Sequence, residues 1–382
     1  MVVPVVVVGA PRNQIIEFGG LPVLDAIPSL SSWNLRESAA GELERLDEAL
    51  RPGLVPDGRR DAERLAAAVA DPGSVAWWLP PISWVDGDFH YTREHLRDLA
   101  RLTCSEAITA LVIGGTFDHL QVETDAEDEI GEPITPPRPQ VFLEPRDAPP
   151  RLADEGVLPA TVEALAQRAA DFPNLRALFA GEIDNGQWIH GDKVEVAAVL
   201  QAFPRLEELA MSAFWMLQFR VPGHARLRRL SLHGVMDPEE ILGIALCRLP
   251  ALEHLELWWQ EDAGGVQDPD ERTAFDALFG SDTMPNLLHL RLGQFTFIND
   301  MVEQLASSQL LSRLHSLDLS HSLLTDKGAR VLLEAPGFRG LQRLELRRSR
   351  MSEEMAGHLD RAFTAAGVDI DTRHGRPMPR RR

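Results

Sequence analysis

Residues 314–319 read LHSLDL, with leucines at Leu314, Leu317 and Leu319. Its second half alternates apolar and polar residues, the period of a strand with one buried face. The same L-x-x-L-x-L spacing recurs upstream at Leu287-Leu290-Leu292, Leu252-Leu255-Leu257, Leu227-Leu230-Leu232 and Leu206-Leu209-Met211. It recurs downstream at Leu341-Leu344-Leu346, and two degenerate copies come earlier, at Ile108-Leu111-Ile113 and Leu175-Leu178-Ala180. From Leu175 onward the starts lie 31, 21, 25, 35, 27 and 27 residues apart.

Each copy is followed by a helix signal. Asp237-Pro238-Glu239-Glu240 places a cap residue, a first-turn proline and two acids before Ile241, Ile244 and Ala245. Thr325 or Asp326 precedes Ala329, Leu332 and Leu333, and Ser352 precedes Met355, Leu359 and Phe363. Breaks at Phe203-Pro204, Leu249-Pro250, Met284-Pro285 and Pro336-Gly337 lead into the next strand. The period is near the roughly 20–29 residues of leucine-rich repeats. The expected fold is therefore α/β: a leucine-rich-repeat solenoid, or horseshoe. Parallel strands line its concave face and helices its convex face. One unit cannot bury its own apolar face, whereas stacked units share a continuous core. The loop position that usually carries Asn holds Ser322, Ser349, Phe295 or Gln260. The loops must then satisfy their backbone polar groups another way.

The repeats span 105–365. Residues 1–104 lack the leucine pattern and read as an N-terminal cap over the open end of the stack. An insertion at 121–158, acidic in DAEDE (Asp125–Glu129) and proline-rich in PPRP (Pro136–Pro139), reads as surface chain. The basic stretch 366–382 reads as a disordered tail.

The net charge of −20 over 382 residues opposes binding to phosphate backbones, so nucleic acid is not an expected partner. The opening run MVVPVVVVGAPRN has no basic segment before it, contains Pro4, and is shorter than the roughly 20 residues of a membrane span. A membrane partner is not expected either. With two cysteines, Cys104 and Cys247, a reducing cytoplasmic setting is expected. Cys247 reads as a buried thiol.

If the leucines point inward, the intervening residues form three outward rows. They are Arg229-His254-His289-Ser316-Arg343, then Ser231-Glu256-Arg291-Asp318-Glu345, then His233-Trp258-Gly293-Ser320-Arg347. Candidate binding residues are Arg229, His233, His254, Glu256, Trp258, His289, Arg291, Asp318, Arg343, Glu345 and Arg347. Trp258 would be the apolar anchor, since Trp and Arg are enriched at interface hot spots. Alternatively the charges pair across strands, Glu256 with Arg291 and Arg291 with Asp318. Two histidines and two acids on this wall could in principle hold zinc or iron, but Arg291 opposes a cation there. Asp86, Asp88, His90 and His95 read as a polar loop entering a helix. No hydrolase or phosphate-loop motif is present. No catalytic residue, cofactor or metal is expected.

The chain also resembles a family of uncharacterised bacterial leucine-rich-repeat proteins. The resemblance rests on FGGLPVLD (Phe18–Asp25), ALVIGG (Ala110–Gly115), AFPRLEEL (Ala202–Leu209), LPALEHLELWW (Leu249–Trp259) and SLDLSHSLLTDKGARVLL (Ser316–Leu333). It implies a cytosolic repeat protein in an accessory role. The expected function is a protein- or peptide-binding scaffold, not an enzyme. The alternative is an enzyme or enzyme subunit whose site lies in the N-terminal region or is completed by a partner.

Overall fold

The computed structural model describes residues 17–25, 58–79, 82–85, 88–114, 157–181, 193–259 and 269–373. Most of the acidic insertion, the start of the chain and the last residues lie outside them. The chain forms two compact units, one of 1–194 with 201–206 and the other of 195–200 with 207–382. It is mixed α/β with mostly parallel strands.

In the first unit, β1 (Glu17–Phe18) and β2 (Leu21–Asp25) form an antiparallel hairpin. Its turn uses Gly19 and Gly20 at φ of 60° and 73°, which a glycine adopts without strain. Strand β2 then pairs in parallel with β3 (Ala76–Leu79), after α1 (Gly58–Ala70). A second hairpin, β4 (Ile82–Val85) with β5 (Asp88–Tyr91), leads into α2 (Thr92–Leu102). Parallel strand β6 (Ala110–Ile113), α3 (Val157–Arg168) and parallel strand β7 (Ala177–Gly181) follow.

Register places Leu24, Trp77, Leu111 and Leu178 in one column, each at most 4% exposed. The segment read as a cap thus contributes parallel strands with an inward apolar residue, as the later copies do. The opposite face is apolar too: Trp78, Val112 and Phe179 are in register and buried. The β1–β2 hairpin lies over it. Phe18 packs edge-on against Phe179 at 6.2 Å, and Gly19 approaches Ala110 and Ala177. Strands buried on both faces read as unbroken apolar runs, and AWWL and ALVI do.

Strand β8 (Val194–Glu195) and α4 (Val196–Ala202) carry the chain onward. The second unit, which includes most of α4, continues with β9 (Glu208–Gln218) and β10 (Arg229–Val235), followed by α5 (Pro238–Leu246) and β11 (His254–Trp259). It continues with α6 (Pro269–Gly280), β12 (His289–Gly293), α7 (Ile298–Ala306) and β13 (Ser316–Asp318). It ends with α8 (Asp326–Glu334), β14 (Arg343–Glu345), α9 (Glu353–Ala365) and β15 (Asp369–Asp371). Consecutive strands pair in parallel from β9 to β15.

The expected column is present. Leu209, Leu230, Leu255, Leu290, Leu317 and Leu344 are register partners, each at most 2% exposed, and Ile370 ends the line, so part of the stretch read as a disordered tail is instead a paired strand. Strand entry follows a recurring turn. The amides of Leu206, Leu252 and Leu287 donate to the carbonyls of Phe203, Leu249 and Met284, with proline between. Proline presets the φ of that corner, which explains the Phe-Pro, Leu-Pro and Met-Pro breaks.

Helix starts follow the sequence signals with one difference. Thr325 accepts from the Lys327 amide and Ser352 from the Met355 amide, as N-caps should. Asp237 sits at the N-cap of α5 but makes no side-chain cap bond, so the proline there does the starting. Within the second unit, successive repeats also cap one another. Asn299 Oδ1 accepts from the amides of Thr325 (3.1 Å) and Gly328 (2.9 Å). Twenty-seven residues on, Asp326 accepts from the Ser352 amide at 2.7 Å and hydroxyl at 2.9 Å. In place of the Asn ladder, Ser322 donates to the Leu319 carbonyl at 2.6 Å and accepts from the Leu324 amide at 3.4 Å. At the same position in its own unit, Phe295 joins Phe275 and Phe297 in an aromatic cluster.

Candidate functional site

On the second unit the face opposite the leucine columns is polar, and its rows follow the expected register. The first runs Glu208, Arg229, His254, His289, Ser316, Arg343, Asp369. The second runs Ala210, Ser231, Glu256, Arg291, Asp318, Glu345, Asp371, and the third contains Ser212, His233, Trp258 and Gly293. Ser320 and Arg347 sit just past their strands, where the Arg347 amide donates to the Ser320 hydroxyl at 3.2 Å.

The second row is a salt-bridge ladder. Arg291 reaches Glu256 at 3.3 Å and Asp318 at 3.2 Å, the cross-strand pairing that the alternation predicts. Glu256 also meets His233 Nε2 at 3.2 Å and accepts from the Ser231 hydroxyl at 3.1 Å. Further along, Glu345 holds Arg343 at 2.7 Å and Arg347 at 2.9 Å, and Asp371 accepts from Arg373. Each pair stabilises by about 0.2–1 kcal/mol. Their joint effect is to lock the rotamers of the wall.

Trp258, expected as a projecting anchor, instead lies flat and is only 8% exposed. His233 stacks on it at 5.6 Å and 12°, the Arg291 guanidinium sits 5.2 Å from the ring centre, and His321 packs at 5.7 Å. The ring occupies the space above Gly293: a Cβ there would stand 2.1 Å from an indole carbon. Gly293 is therefore what lets the indole lie down.

His321 escapes a reading based on strand alternation because it follows the strand. The signal that could have found it is the 27-residue repeat. Gln294, His321 and Arg348 are evenly spaced at that interval and all adopt left-handed backbone, at φ of 57°, 58° and 54°. That conformation turns the chain out of each strand, and it is costly for a residue with a Cβ.

The first row centres on imidazoles. His254 and His289 stack face to face at 4.0 Å and 11°, and His315 lies 6.3 Å from His289. His289 Nδ1 shares a hydrogen bond of 2.7 Å with the Ser316 hydroxyl. Parallel stacked rings do not converge their nitrogens on one point. Among the described residues no group of three or more His, Cys, Asp or Glu is placed to hold a metal ion. Desolvation by burial, then the neighbouring His289 and Arg229, push His254 down to about 4. Burial and His315 lower His289 in the same direction.

The unfolded His254 takes a proton near pH 6.5, whereas the folded one resists until about 4. Its contribution is complete above pH 6.5 and is lost as pH falls from there toward 4. Partial exposure screens the effect, so the loss should be about 1–2 kcal/mol. Urea midpoints measured across that window should fall with pH, and His254→Gln should flatten the fall. A slope unchanged in the variant would contradict this.

Other candidates fall outside the wall. Asp86 lies outside the described residues, as do the side chains of Asp88 and His90; His95 is buried on α2. Cys247 is buried and its thiol is pushed up to about 12 by desolvation, while Cys104 is exposed. No helix among the described residues is long and apolar enough to cross a membrane.

No protein-family model and no curated protein matches the sequence. Among solved structures, the chain is similar to a structural-genomics protein from Bacteroides fragilis, with a TM-score of 0.58 and 19% identity. The alignment covers 84% of each chain. At that identity the likeness concerns the fold.

Proposed function

We propose that the chain is a leucine-rich-repeat module that binds a protein or peptide on the polar wall of its second unit. The observation that carries this reading is the contrast between the two units. In the first, the face opposite the inward column is apolar and roofed by the β1–β2 hairpin. In the second, the first two rows of the corresponding face carry register-matched charges, imidazoles and hydroxyls that are half-buried or exposed. A stack that needed only stability would gain nothing from this exchange, because cross-strand ion pairs contribute little. A rigid, pre-organised polar surface lowers the ordering cost of binding.

Trp258 and Arg291 are interlocked, so substituting them would disturb the wall itself. The informative variants are exposed ones. Full-length chain carrying Arg229→Glu/Arg343→Glu should lose the proteins that wild type captures from its host lysate. A helix-face control, Arg330→Glu, should keep them. An identical captured set for wild type and the wall variant would remove this surface from contention.

A further inference from the structure

The ladder in the second row leaves the first row chemically distinct. The carboxylates of the second row, and Glu253 beside the first, already have cations, while Glu208 closes the first row next to Arg229. Arg291 serves Glu256 and Asp318, Arg343 and Arg347 serve Glu345, and Arg228 grips Glu253 at 2.7 Å. Between Glu208 and Asp369 the first row itself contains no carboxylate. Arg229, His254, His289 and Ser316 therefore line up on adjacent strands about 4.8 Å apart as a guanidinium, two imidazoles and a hydroxyl. This is a stripe of donors on a chain whose net charge is −20.

We infer that this stripe binds the carboxylates of an acidic segment on a protein partner, and that the stacked His254–His289 pair takes up a proton as it does so. The inference rests on the reading of the wall as a binding surface. Two imidazoles stacked at 4.0 Å repel when charged, and Arg229 on one side and His315 on the other add to that repulsion. Among the described residues, the carboxylate acting on the pair in the opposite sense is Glu253, which Arg228 already holds. Glu256 and Arg291 stand two positions further along the same strands and compensate one another. The rings therefore stay neutral near pH 7. An arriving carboxylate supplies the missing counter-charge, making the protonated ring favourable. A parallel wall presents these donors in a line, which suits an extended peptide crossing the strands.

The test uses the full chain titrated with an oligo-glutamate peptide at about pH 6 and about pH 8. Binding should be about tenfold tighter at the lower pH, with net proton uptake seen as a dependence of the heat on the buffer's ionisation enthalpy. The gain should disappear in His254→Gln/His289→Gln, and Arg229→Gln should weaken binding at both pH values. Unfolding midpoints would confirm that the variants remain folded. The inference is overturned if the peptide does not bind, or if the pH gain persists in the histidine variant. The same holds if an oligo-lysine peptide binds equally well. Those failures leave the wall reading standing on its own test, the loss of captured proteins in the charge-reversal variant.

Discussion

Leu317→Ala is expected to destabilise the second unit by about 2–5 kcal/mol. Leu317 is fully buried, and its register partners Leu290 and Leu344 flank it in the same column. Removing the isobutyl group loses its transfer free energy. It also leaves a cavity that the neighbouring strands cannot close, because their spacing is set by the hydrogen-bond ladder. Denaturant unfolding followed by circular dichroism would measure the change. The adjacent wall substitution Ser316→Ala faces the other side and should cost about 1 kcal/mol, the worth of a part-exposed hydrogen bond. If Leu317→Ala cost no more than Ser316→Ala, the column would not be carrying the stack.

The second large effect is expected in the first unit. Gly114 directly follows β6 at φ of +97°, and a Cβ there would lie 1.9 Å from the backbone oxygen of Gly181. Gly114→Ala therefore combines backbone strain with a clash against main chain, which no rotamer can relieve. We expect a loss of about 3 kcal/mol or more. The shift would also strain two bonds that anchor this strand end: the Gly114 amide to the Leu79 carbonyl at 3.1 Å, and the Trp78 indole N–H to the Gly114 carbonyl at 3.1 Å. Gly20 is the internal comparison. It has φ of +73° but open space around its Cβ position, so Gly20→Ala should cost only about 1–2 kcal/mol. Equal losses at the two sites would show that contact with Gly181 does not matter.

Much of the second unit was legible from residue spacing. Three aliphatic positions at fixed offsets place Leu255, Leu290, Leu317 and Leu344 in register, and alternation then dictates that Glu256, Arg291 and Asp318 face the other way and pair. The first unit was harder to read because its strands are buried on both faces. Ala110, Val112 and Phe179 lack the polar alternation that marks a half-exposed strand. The capping exchanges of Asn299 and Asp326 leave no mark in the sequence, since they join residues in successive repeats and no local pattern announces them.

The strand–helix alternation, the inward column and the identity of the outward rows can all be read from residue order, because they depend on period and on the preference of leucine for burial. How those outward residues behave emerges from the folded molecule. It laid Trp258 flat over Gly293 beneath His233 and Arg291, stacked His254 on His289, and roofed the first unit with a hairpin. The physical reason is that a side chain's direction follows from its own strand, whereas its exposure, partners and charge state depend on neighbours that are distant in the chain.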